Sequence, residues 1–386
     1  MNRRQLLAAG ASAALPLPAL ALTGSAGAPI RTRWKVRGSE GFDALCFLGP
    51  LSGKPLYTRY YEAELAAFRP KFPAEAQAAL DRLQKAADAR GSLLAPGLCT
   101  LLSGAPDATL DEVVLAVREA ETRVMPGYKA SEYWDQESWD ALIAGRADLL
   151  VVLEGLRTAG FPEFRRGFIA AKLDPKIAAL SVKLSTMDVI AEQERLIGRK
   201  LDPGIEIVLL WFSKPHGTRI QGQRFLSHVD YPDALTIRIA GHEILHPPFP
   251  MEGPTAKAAI ATLEADPLMA RIVKEHDPSF GYNSMEGVLN EDTVQALDQI
   301  IGERLGVSIP PAKRWAVADD GMHVLAAGLY GMLKAEGYDQ RGGNIEAWMA
   351  DAVKTGKLAP ASLHTSASKV LEVPPDQLWP RKKPAA

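Results

Sequence analysis

Cysteine is almost absent from this chain: Cys46 and Cys99 are the two examples in 386 residues. Two thiolates cannot build a Cys-based structural metal site, so a metal would have to be held by histidine and carboxylate. An exported chain could pair the two cysteines, but one bridge is not a disulfide framework. An excess of either charge is also lacking. Lys and Arg number 44 against 46 Asp and Glu, for a net charge of -2. That balance gives no basic bias toward nucleic acid. The apolar fraction of 47% is that of an ordinary globular protein. Histidine is scarce, with seven in all, which makes two of them within five residues informative.

Those two belong to His242-Glu243-Ile244-Leu245-His246, an H-E-x-x-H motif. On a helix, positions i and i+4 share one face, so two imidazoles can grip one metal ion. A carboxylate beside the first histidine can take a proton from a water on that metal, which is the layout of a zinc hydrolase. The expectation is Zn2+ on His242 and His246, with Glu243 as the general base. Asp230-Tyr231-Pro232-Asp233 reads as a turn before the motif. Ile244 and Leu245 are expected in the core. Pro247 and Pro248 stop the helix, and a proline disfavours α geometry in the residue before it. His246 is therefore expected in the last helical turn.

The N-terminus reads as a targeting segment. Arg3-Arg4 precede Leu6-Leu7, and an uncharged Ala-, Leu- and Gly-rich stretch runs to Ala28. It resembles a bacterial twin-arginine export signal, which implies a periplasmic or secreted protein. Pro16, Pro18 and several glycines argue against a spanning helix, so no stable membrane insertion is expected after cleavage.

The rest divides by pattern. Residues 29–200 read as a helical N-terminal region, 201–375 as a metal-binding catalytic region and 376–386 as a disordered tail. Strand-like pieces occur at Arg31 to Val36 and Ala44 to Leu48. Helical periodicity follows at Ala74 to Ala89, Leu110 to Arg123, Glu137 to Gly155 and Asp174 to Leu196. Asp202-Pro203-Gly204 is a break. Ile205 to Phe212 and Gly217 to Phe225 suggest a small hairpin or sheet just before the motif. Helices return at Thr255 to Ala265, Pro267 to His276, Ser284 to Leu305, Arg314 to Ala335 and Asn344 to Thr355. The fold class expected is α+β, predominantly helical, with one small sheet.

A catalytic zinc takes three protein ligands. A continuation of the motif as H-x-x-G-x-x-H would supply a third histidine, but Phe249 and Glu252 stand where the glycine and histidine would be. The alternative is a glutamate on a later helix. Glu291 lies at helical spacing among Val288, Val294 and Leu297, where a carboxylate aimed at the core needs a partner. Glu286, five residues earlier, is the other candidate. Hydrolysis also needs a group to steady an oxyanion. His323 is the first choice for that role, with Tyr330 and His228 as alternatives.

His242-Glu243-x-x-His246 followed by Asn290-Glu291-Asp292 resembles the gluzincin metallopeptidases, in which a helix carrying a glutamate, often after an asparagine, supplies the third ligand. The resemblance implies a zincin-like catalytic domain, zinc on His242, His246 and Glu291, Glu243 as general base, and a peptide or protein substrate. The interval from His246 to Glu291 is longer than in the thermolysin-like and aminopeptidase groups, and no Gly-Ala-Met-Glu-Asn motif accompanies it. Two other classes fit the same residues: a zincin-fold periplasmic scaffold without activity, and a zinc hydrolase of non-peptide amides.

Overall fold

A computed structural model describes residues 29–215 and 217–380. The export signal expected at residues 1–28 lies outside the described residues, as do His216 and the last six residues of the expected tail. The described chain is mostly helical with one four-stranded sheet, as the periodicity predicts. It forms two compact units whose segments interleave along the sequence. One is built from Trp34–Lys183 and Gly204–Ile244, the other from Leu184–Pro203 and the chain from Leu245 onward, with the residues just before Trp34. The boundary read at residue 200 falls inside the Leu184–Pro203 segment.

The first unit carries the sheet. Its strands are β1 (Arg33–Gly38), β2 (Gly204–Leu210), β3 (Thr218–Ile220) and β4 (Arg224–His228), in the order β1-β2-β4-β3. β2 runs parallel to β4 with Leu210 opposite His228, and β3 returns antiparallel with Thr218 opposite Leu226. Ile207 to Leu210 are fully buried, which is why β2 reads as a continuous apolar run rather than an alternation. The strand expected at Ala44 to Leu48 is instead the middle of the Glu40–Leu51 helix. Ser39 caps that helix by accepting from the Phe42 N–H, and its residues from Gly41 to Leu51 are all buried. A short helix buried on every side shows no 3.6-residue alternation, so length and apolarity alone imitate a strand.

Phe47 anchors the first core. Its ring lies 5.1 Å from Phe68, 5.4 Å from Phe161 and 4.3 Å from Phe212. One ion pair is buried beside it. Asp43 accepts from Arg165 Nε at 2.6 Å and from the Trp211 and Phe212 N–H groups, each at 2.8 Å. Burial still outweighs those partners and pushes the Asp43 carboxyl up to about 6.

The second unit is helical and centred on the Met285–Arg304 helix, capped by Ser284. Every residue of that helix from Val288 to Gly302 is buried. The Val324–Ala335 helix packs on it, and the Pro360–Leu371 helix packs on that one in turn. Gly328 and Gly331 permit the second contact, because a Cβ on either would collide with Leu363 or Ser366. Three predicted helices are interrupted, the first of them, Leu110 to Arg123, at Glu119. Asp174 to Leu196 breaks after Leu184 and restarts at Val189, where Asp188 caps the new helix through the Ala191 N–H. Arg314 to Ala335 breaks at Asp319, Asp320 and Gly321, which have φ of 44°, 58° and 75°. Left-handed backbone costs an L-residue about 1–2 kcal/mol, so tertiary contacts must hold this turn open. The tail is ordered through Pro380: Leu378 is buried and the Trp379 carbonyl accepts from Arg271 at 2.7 Å. No helix among the described residues is long and apolar enough to cross a membrane.

Candidate metal centre

The motif helix begins directly after β4. It spans Asp233–Glu243, and Lys176 ties down its start by donating to the Tyr231 carbonyl at 2.7 Å and the Asp233 carboxylate at 2.5 Å. The helix ends earlier than expected. Glu243 is its last residue, Ile244 caps it, and His246 lies beyond it. The two histidines therefore do not project from successive turns of one helix. Pro247 and Pro248 are the physical cause: neither has an N–H to extend the ladder, and Pro247 removes α geometry from His246. Ile244 and Leu245 are buried, as expected.

His242, His246 and Glu291 nevertheless converge. One ligand atom from each lies within 4.8 Å of the others, a group able to hold a metal ion. All three are buried, at 6%, 5% and 3% exposure. Both rival carboxylates face solvent, since Glu286 and Glu252 are exposed. The Met285–Arg304 helix thus aims Glu291 inward and leaves Glu286 outside, as five residues of rotation require.

Neighbouring side chains fix how His246 and Glu291 are presented. His246 Nδ1 lies 3.1 Å from Asn290 Oδ1. An oxygen acceptor there holds the proton on Nδ1 and leaves the lone pair on Nε2. That Nε2 faces Glu291 Oε2 at 3.5 Å. The other carboxylate oxygen, Oε1, accepts from Gln295 Nε2 at 3.1 Å. Asn290, Glu291 and Gln295 recur at helical spacing, one turn apart or adjacent, and all are buried. The sequence quotes Asn290 beside Glu291, but its hold on His246 and the parts played by Gln295, Asp292, Asp319 and Trp315 are visible only in three dimensions. The one signal in the sequence is polarity at positions that helical packing buries.

The oxyanion candidates are engaged elsewhere. Both ring nitrogens of His323 are engaged, Nδ1 with Asp292 at 2.6 Å and Nε2 with Asp319 at 3.0 Å, which turns the ring to carboxylates rather than to a substrate oxygen. Burial opposes its charge, but Asp292 and Asp319 overcome that and push the imidazole up to about 10. Tyr330 donates its hydroxyl to Glu303 at 2.5 Å. His228 ends β4 between the rings of Trp211 and Tyr231, and its Nδ1 accepts from the Asp230 N–H at 3.0 Å. His276 is buried just past the Pro267–Glu275 helix, with its ring nitrogens 2.8 Å from the Ile272 carbonyl and 2.7 Å from the Gly281 carbonyl. Cys46 and Cys99 are buried, with their sulfurs 3.8 Å apart and not joined in a disulfide.

Compared with protein-family profiles, curated proteins and solved structures, the chain gives no significant match.

Proposed function

We propose that this chain is an exported zinc-dependent metallopeptidase of the gluzincin type, with a zincin-like catalytic region. The observation that carries the reading is the buried convergence of His242, His246 and Glu291. Two neutral imidazoles and one carboxylate form a donor set suited to catalytic zinc, which takes three protein ligands and keeps a fourth position open. Ligands about 2.1 Å from one ion at a tetrahedral angle are about 3.4 Å apart, and His246 Nε2 lies 3.5 Å from Glu291 Oε2. Asn290 holding the far nitrogen of His246 supports the same reading, since metal-bound histidines are oriented this way.

When bound, zinc supplies a Lewis acid that acidifies water and polarises a carbonyl. This chain's own part falls to Glu243, one residue from His242 and 9% exposed. It takes the proton of the attacking water and returns it to the leaving amine. The edge strand β3 offers a place for an extended peptide to pair. Arg3-Arg4 and the uncharged stretch behind them support export through the twin-arginine route.

The test is zinc content and peptide hydrolysis in wild type and Glu243→Gln. The reading expects about one zinc per chain in both, with hydrolysis lost in the variant. A wild type without zinc, or a Glu243→Gln protein that cleaves peptides at the wild-type rate, overturns it.

A further inference from the structure

Behind Glu291 lies a buried polar chain with its own direction. Gln295, one turn along the same helix, is fully buried, and Trp315 and His323 are each 1% exposed. Trp315 Nε1 lies 2.7 Å from Gln295 Oε1. An indole nitrogen can only donate, so the amide oxygen must face Trp315 and the amide nitrogen must face the other way. On that side Gln295 Nε2 lies 3.1 Å from Glu291 Oε1, and 3.1 and 3.0 Å from the two ring nitrogens of His323. Both of those ring nitrogens are within bonding distance of a carboxylate, Asp292 or Asp319. With each donating outward, neither accepts from Gln295, and Glu291 Oε1 is the acceptor left.

We propose that Trp315 and Gln295 are positioning residues that decide which oxygen of Glu291 faces the metal. The indole N–H sets the amide, the amide occupies Oε1, and Oε2 remains toward His246 Nε2, so the carboxylate binds through one oxygen. The inference rests on the metal-centre reading above. Its role is separate from folding: a glutamine placed only to fill the core would not need its amide oriented by a dedicated donor.

The experiment measures zinc affinity by chelator competition on the purified full-length mature protein, together with the visible absorption of the Co2+-substituted form. Gln295→Leu should bind zinc about 10–100-fold more weakly, the usual cost of losing such a partner. Its Co2+ absorption should weaken as Glu291 takes a second position on the ion. Trp315→Phe keeps the ring, removes the N–H and should weaken zinc binding about tenfold or less. It also serves where Gln295→Leu folds poorly. The double variant should bind zinc no more weakly than Gln295→Leu alone, because both act through one hydrogen-bond chain. Wild-type affinity in Gln295→Leu and Trp315→Phe overturns the proposal, and so do additive losses in the double variant. His246→Ala separates the two readings: if it loses zinc while the Gln295 and Trp315 variants do not, the metal centre stands and the positioning chain falls.

Discussion

His228 and His323 are equally buried, each 1% exposed, yet their pKa values are shifted in opposite directions. His228 sits in the sheet-bearing unit among aromatic rings. Burial is the main cause of its shift, Lys214 and Lys172 add to it, and its pKa falls to about 3. His323 sits in the helical unit between Asp292 and Asp319, and its pKa rises to about 10. Burial alone disfavours the charged form of either ring. The difference shows that the acidic partners, not depth, decide the protonation state of an interior imidazole. It also shows why neither ring is a ready oxyanion donor: one serves a strand end, the other braces the helix that carries Glu291.

The largest test of this contrast removes one of the acidic partners. Asp292→Leu should cost about 3–5 kcal/mol in urea unfolding, because it leaves the buried imidazolium with Asp319 as its one carboxylate partner and takes an acceptor from the Ala326 N–H. A loss below about 1 kcal/mol would mean that the Asp292–His323 pair contributes no more than a surface ion pair, and the contrast would fail.

Next in size is the metal. Zinc at 100 times its Kd should raise the stability of the wild type by about 2.7 kcal/mol. His246→Ala should show no such rise, whereas His228→Gln should keep it. A rise that survives in His246→Ala would detach metal binding from the motif.

Titration sharpens the comparison through its sign. His323 has a folded pKa above its ordinary 6.5, so its contribution is complete below about 6.5 and lost as pH rises through about 10. His228 has a folded pKa below 6.5, so its contribution is present above about 6.5 and lost as pH falls toward about 3. Thermal unfolding against pH should lose alkaline sensitivity in His323→Gln and acid sensitivity in His228→Gln. Both variants flattening the same limb would refute the assignment.

The smallest effect is expected at Asp230. It reaches His228 through its backbone N–H, and its carboxylate pairs with Lys172 at a half-exposed site. Asp230→Ala should therefore change stability by about 1 kcal/mol or less. A loss as large as that of Asp292→Leu would erase the difference between the two sites.

Much of this was legible where a residue's local neighbours decide the outcome. The Ala74–Ala89 helix and β2 fall where their periodicity places them. The apolar residues around Glu291 mark a buried helix face, and Glu291 is buried where Glu286 is exposed. Pattern misleads where tertiary contacts override it. Ala44 to Leu48 is helical because the Glu40–Leu51 helix is wrapped by core on all sides. The turn at Asp319 interrupts an unbroken helical pattern because Asp319 is drawn back onto His323.

By itself the sequence determined the chemistry on offer: a scarce set of histidines, two of them with a glutamate in H-E-x-x-H, and a later helix bearing an inward glutamate. These follow from residue identity and helical spacing, which are local properties of the chain. Only the tertiary structure decided that Asn290 meets the His246 ring and that Trp315, Gln295 and Glu291 join in one hydrogen-bonded chain. It also decided that His323 closes on two aspartates instead of facing a substrate. Those outcomes depend on which groups meet across long sequence separations inside a core, where a polar atom without a partner is costly and the packing as a whole selects its partner.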